Sequence, residues 1–149
     1  MYVHPARIAE LSSLSTRAFD LTRLLELLRE INICHENRCY LATAALIRAV
    51  LDHVPPIFSC RTFAEVANNV GGSKSFRESM AYLDNSARKI GDQHLHVQIR
   101  KSEVLPTSTQ VDFSPALDRA VYGNSTGVVP KYRGWLHDEA CHSRRRSPL

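Results

Sequence analysis

Nothing in these 149 residues alternates with a strand period for long, and no internal repeat is visible. A sheet-based fold and a repeat array are therefore excluded. No apolar run approaches the roughly 20 residues that cross a bilayer. The opening MYVHPARIAELSS also lacks the apolar centre of a signal peptide. Both absences lead to the expectation of a cytoplasmic protein that does not engage a membrane. A Walker loop, a GxSxG elbow and an HExxH pair are all missing, which removes the enzyme classes built on them. The cysteines are Cys34, Cys39, Cys60 and Cys141, with no CxxC among them and no spacing that suggests a disulfide framework. Cys34, His35 and Cys39 lack the second ligand pair that a zinc site needs. No metal or other cofactor is expected, and the thiols read as reduced bystanders.

The formal charge of +4 suggests nucleic acid until it is located. Residues 123–149 hold Lys131, Arg133, Arg144, Arg145 and Arg146 against Asp138 and Glu139, a net +3. Residues 1–122 hold 14 basic and 13 acidic side chains, a net +1. The part expected to fold is close to neutral, so the overall basicity is a weak argument for RNA or DNA. Gly123, Gly127, Pro130, Gly134 and Pro148 interrupt the rest, and residues 123–149 read as a basic, disordered tail around the single Trp135.

What is present is helical. A short helix is expected over Ala6 to Leu14, with Pro5 in its first turn. A strong one is expected from about Thr16 to Ile33, where Phe19, Leu21, Leu24, Leu25, Leu27, Leu28 and Ile31 make a broad apolar face. Asn32 to Asn37 reads as a polar break. The next helix, about Arg38 to His53, mixes Ala42, Thr43, Ala44 and Ala45 with Leu41, Leu46, Ile47, Val50 and Leu51, which suits a central, closely packed position. Val54-Pro55-Pro56 ends it. Thr62 and Glu65 form a capping box for a short helix over Phe63 to Asn69, and Gly71-Gly72 makes a turn. Leu105 to Phe113 reads as a loop, and Ser114-Pro115 opens a last helix through Tyr122. The fold class is all-α, a bundle of about five helices over residues 1–122.

The longest periodic stretch runs from Ser73 to Lys101, with its helix expected to end near Glu103. Ser75 and Glu78 are expected to cap it. Phe76, Met80, Leu83, Ala87, Ile90, His94 and Val97 follow at steps of four and three, a stripe that must be buried. Arg88, Asp92, His96 and Arg100 advance by four, so neighbours can touch. Gly91 costs about 1 kcal/mol relative to alanine in a helix, which suggests a close approach of another backbone or a ligand, or a local break. The polar stripe reads either as a solvated face of alternating charge or as a phosphate-binding face, with arginine supplying planar donors and His96 a proton near neutral pH. Asp92 is placed to orient His96. His94 continues the apolar stripe, where histidine is commonly a core residue. In the earlier helix, Arg48 can pair with Asp52 at i+4. His53 lies about 140° around from Arg48, so the two share a face only if the helix end is distorted.

ARKIGDQHLH, Ala87 to His96, resembles the Arg-x-x-Gly-Asn-x-x-x-His element of HEPN-like helical domains, with Asp92 where asparagine is usual. LIRAVLDHVPP resembles an earlier helix of the same domains, and the likeness spans about Leu21 to Leu117. It implies an all-α bundle, a homodimer through helices, and a metal-independent endoribonuclease or an RNA- or nucleotide-binding component of a defence or toxin–antitoxin system. Carried over, His94 or His96 would assist attack of a ribose 2′-hydroxyl on the adjacent phosphate. Arg88 would stabilise the developing charge, with Arg48, His53, Asp92 and Arg100 contacting substrate. The alternative is a non-catalytic helical module that binds a protein partner. Asp92, an acid facing an RNA phosphate, counts against the first reading.

Overall fold

The computed structural model describes residues 1–13 and 19–122, and all of its regular structure is helical. The elements are α1 (Pro5–Ser13), α2 (Thr22–Glu36), α3 (Tyr40–His53), α4 (Phe63–Asn69), α5 (Lys74–Tyr82), α6 (Arg88–Leu95) and α7 (Ser114–Tyr122). Short 3₁₀ turns lie at Pro55–Phe58 and Thr109–Val111. Between α5 and α6 the rod continues through a π-helical turn, Leu83–Ala87. The expected basic tail, its Trp135 and its arginines lie outside the described residues, as does Cys141.

Helix α3 is the centre of the bundle, packed against α2 on one side and α6 on the other. Its small residues allow this: Ala44 is buried beside Ile47, Val50 and Leu51, and Thr43 returns its hydroxyl to the Cys39 carbonyl at 3.0 Å. Leu24, Leu28 and Ile31 of α2, Phe63 and Val66 of α4, Phe76 and Met80 of α5, and Leu117 of α7 complete the core. Tyr40–Phe58 reaches the length and composition of a membrane-spanning stretch, with a mean hydropathy of 1.3, contrary to the expectation that no run would. Its buried residues Thr43, Ala44, Ile47, Val50 and Leu51 pack into the bundle, Arg48 and Asp52 lie near its middle, and Pro55 and Pro56 stand in its last turn.

Several boundaries differ from the sequence reading. Helix α2 begins at Thr22, after Asp20 has accepted a bond from the Thr22 N–H at 2.9 Å. It then runs through the expected polar break to Glu36. Asn32 does not break it, because its side chain is satisfied elsewhere. Its Oδ1 accepts from the Tyr2 and Val3 N–H groups at 2.8 and 2.7 Å, and its Nδ2 donates to the Val3 carbonyl at 2.8 Å. The helix closes in a Schellman turn, with the Cys39 N–H on the Cys34 carbonyl (2.8 Å) and the Arg38 N–H on that of His35 (3.1 Å). Arg38 takes the left-handed position there, at φ 58°, so α3 starts at Tyr40 rather than Arg38.

The N-cap of α5 is Ser73, which accepts from the Phe76 N–H at 3.2 Å; Ser75 instead accepts from Arg119 of α7 at 2.6 Å. The Thr62 cap forms as expected, although Glu65 reaches back to the N–H of Arg61 rather than of Thr62. The largest correction is the end of α6 at Leu95, about two turns before Glu103. Helices in proteins persist mainly where a face is packed, and among the described residues no element buries Val97, which stays 38% exposed. The expected stripe is buried at Phe76, Met80, Leu83 and Ala87, half-buried at Ile90 and His94, and exposed at Val97.

Candidate functional site

Beyond the π turn the rod is rotated, because an i→i+5 turn holds one residue more than an α turn. The fully buried residue of α6 is Gly91, and it lies directly on α3. A Cβ built there would stand 2.8 Å from Arg48 Cβ and 3.2 Å from the Ala44 carbonyl oxygen. The glycine of the long stripe therefore serves a close approach of two helices.

That approach decides what the neighbouring charges do. Arg48, only 15% exposed, donates from Nε to Asp92 Oδ1 at 2.7 Å. Its Nη1 forms the expected i,i+4 ion pair with Asp52. Burial works against the guanidinium, but the two carboxylates outweigh it and raise its pKa. Asp92 thus neutralises Arg48 and locks α6 to α3. Among the described residues, no hydrogen bond joins it to His96.

Arg88, the first residue of α6, faces back along the rod and donates to Asp84 at 3.4 Å. His53 ends α3 and is half-buried. His94 is half-buried in the last turn of α6. His96 is the exposed C-cap residue, and Arg100 lies four residues further, off the helix. The polar stripe is therefore helical only from Arg88 through Asp92, since α6 stops before its last two members. The structure joins Arg48 with Asp92 and Asp52, and Arg88 with Asp84. Asp92, His96 and Arg100 together line an open groove of about 480 Å³ at the end of α6.

The more unusual feature is apolar. Every residue from Leu95 to Leu105 is exposed, and the chain re-enters the core only at Pro106. Ile99 is 95% exposed, Val104 77% and Leu105 65%. With Leu41 of α3 and Val97 they line a groove of about 370 Å³ rimmed by Gln93, His94, Arg100 and Glu103. The Arg100 N–H donates to Glu103 Oε1 at 2.7 Å, which turns this arm back on itself. Exposed apolar clusters of this kind are more often contact surfaces than accidents of a monomer surface. The sequence reading missed it by assigning Val97 to a buried stripe and Leu105 to an ordinary loop. Among the described residues, no group of three or more His, Cys, Asp or Glu side chains is arranged to hold a metal ion. No family model matches this chain, and searches of curated proteins and of solved structures return no match either.

Proposed function

We propose that this chain is a non-catalytic helical interaction module that pairs with a second copy through the apolar arm. The observation that carries the reading is the arm itself: Val97, Ile99, Val104 and Leu105, with Leu41 beside them, all face solvent. The charge pattern agrees with it. Arg48 and Arg88 are each occupied by a carboxylate of this same chain, so neither is held ready for a phosphate. Arg100 and Glu103 on the groove rim give a self-facing surface both signs of charge, which a two-fold pairing needs.

The test is sedimentation over a concentration series, beside Ile99→Asp. A residue so exposed contributes little to the fold, so the variant should melt as the parent does. Two buried aspartates per two-fold interface should weaken pairing by about 2 kcal/mol or more, roughly 30-fold in Kd. A parent that is monomeric at every concentration refutes self-pairing.

The HEPN-like resemblance supplies a second reading, a metal-independent endoribonuclease acting on RNA. It is favoured by the groove that Asp92, His96 and Arg100 line together. Incubating the protein with mixed RNA in EDTA, beside His94→Ala and His96→Ala, tests it. Cleavage with cyclic phosphate ends, lost in one variant, supports it, and intact RNA at a concentration that gives the dimer rejects it.

A further inference from the structure

We propose that Cys34 and Cys39 form an oxidisable dithiol that closes to a disulfide across the turn between α2 and α3 when it meets a hydroperoxide. The sequence spacing, Cys-x4-Cys, suggests nothing by itself; the turn makes it relevant. In the Schellman geometry Cys34 and Cys39 occupy the two positions whose side chains characteristically meet. Their backbones are joined directly by the 2.8 Å bond from the Cys39 N–H to the Cys34 carbonyl. A bond of that kind holds two α-carbons at about the 5–6 Å a disulfide spans. Both thiols are free, Cys39 exposed and Cys34 half-buried. Arg38, in the left-handed conformation between them, fixes the turn.

The accessibilities assign the order of events. Cys39 is the exposed thiol and attacks first. Its sulfur forms a bond to a peroxide oxygen as the O–O bond breaks, leaving a sulfenic acid and one water or alcohol. Cys34 then attacks the Cys39 sulfur, the S–O bond breaks, and the hydroxide leaves as water with the Cys34 proton. Two thiols have lost two electrons and two protons, and the hydroperoxide has taken up both. Burial pushes the Cys34 thiol up, with Cys39 and Glu30 adding to it, so Cys34 offers little thiolate to the peroxide and leaves the first step to Cys39; it gives up its proton as it attacks the Cys39 sulfur.

Trypsin supplies the test, because it cuts after Arg29, Arg38 and Arg48. The full chain is treated with hydrogen peroxide, its remaining thiols are alkylated, and it is digested without reductant. The expected product is peptide 30–38 joined to peptide 39–48, released by dithiothreitol, in a yield independent of protein concentration. In Cys34→Ser the joined peptides should vanish, and Cys39 should be captured by dimedone as its sulfenic acid. Four results would each overturn the proposal: both thiols alkylated throughout, Cys39 carried to the sulfinic acid beside an alkylated Cys34, bridges to Cys60 or Cys141, or bridges between copies.

Discussion

If α6 rests on α3 as closely as Gly91 indicates, replacing that glycine with alanine should destabilise the protein, although alanine is the better helix former. The methyl would stand 2.8 Å from Arg48 Cβ and 3.2 Å from both the Ala44 carbonyl oxygen and Arg48 Cγ. Ordinary carbon contacts lie near 3.5–4.0 Å, so the helices must part by several tenths of an ångström or more. Arg48 Cβ and the Ala44 carbonyl belong to the α3 backbone or sit directly on it, so no side-chain rotation relieves the clash. Overpacking of this kind costs about 1–3 kcal/mol, and alanine returns about 1 kcal/mol of helix propensity. The net expectation is a loss of about 1 kcal/mol, or roughly 3–5 °C in Tm for a domain of this size. Separation of the helices would also stretch the Arg48–Asp92 bond, which pushes the loss upward. The assay is urea unfolding followed by helical circular dichroism. Gly71→Ala serves as the control: nothing lies within 4 Å of its added Cβ, so it should change stability by no more than about 0.5 kcal/mol or raise it slightly. A Gly91→Ala protein as stable as the parent, or more so, would refute the close seating of α6.

Arg38→Gly should stabilise the fold by about 1 kcal/mol in the same assay, because φ 58° costs an L-residue strain that glycine does not feel. Asp92→Ala should cost about 1 kcal/mol by unpairing Arg48 Nε, and an unchanged melting curve would mean that Asp92 does not hold α6 to α3. Tyr2→Phe should cost about 1–3 kcal/mol, since the buried hydroxyl donates to the Val111 carbonyl and accepts from the Phe113 N–H, both at 2.6 Å. Burial raises the Tyr2 pKa in the folded state above its ordinary 10.0, so the stability this group contributes is intact below that pH and is lost as the pH climbs beyond it. Tyr2→Phe should flatten that alkaline limb of a stability–pH curve, and an unchanged limb would assign it to other groups.

The elements whose signals are local were legible in the sequence. Thr62 and Glu65 placed α4 at Phe63–Asn69, Ser114-Pro115 placed α7, and Val54-Pro55-Pro56 ended α3 at His53. The run of small residues near Ala44 marked a closely packed central helix, and the mid-helix Gly91 marked a close approach, a ligand or a break; that Gly91 rests on this helix came from the structure. What could not be read depended on partners distant in the chain. Asn32 looks like a helix breaker until its amide meets the Tyr2–Val3 backbone about 29 residues away. The π turn at Leu83–Ala87 has no composition that distinguishes it from α-helix, and its rotation moves Asp92 towards Arg48, not His96.

The end of α6 is the most informative of these failures. Periodicity reports which residues are suited to burial, and it marks Val97, yet among the described residues Val97 is covered only in part and its neighbour Ile99 hardly at all. Single exposed apolar residues are ordinary, but five gathered on one groove, with Ile99 almost wholly in water, are not. Under the proposed self-pairing, the arm that the described residues leave open is where a second molecule would sit. A second copy carries the same arm, and it would bring to the groove the apolar surface that the periodicity anticipates. Ile99→Asp separates self-pairing from a bare surface: it disrupts the assembly if a second copy covers the arm and is a neutral surface change if none does.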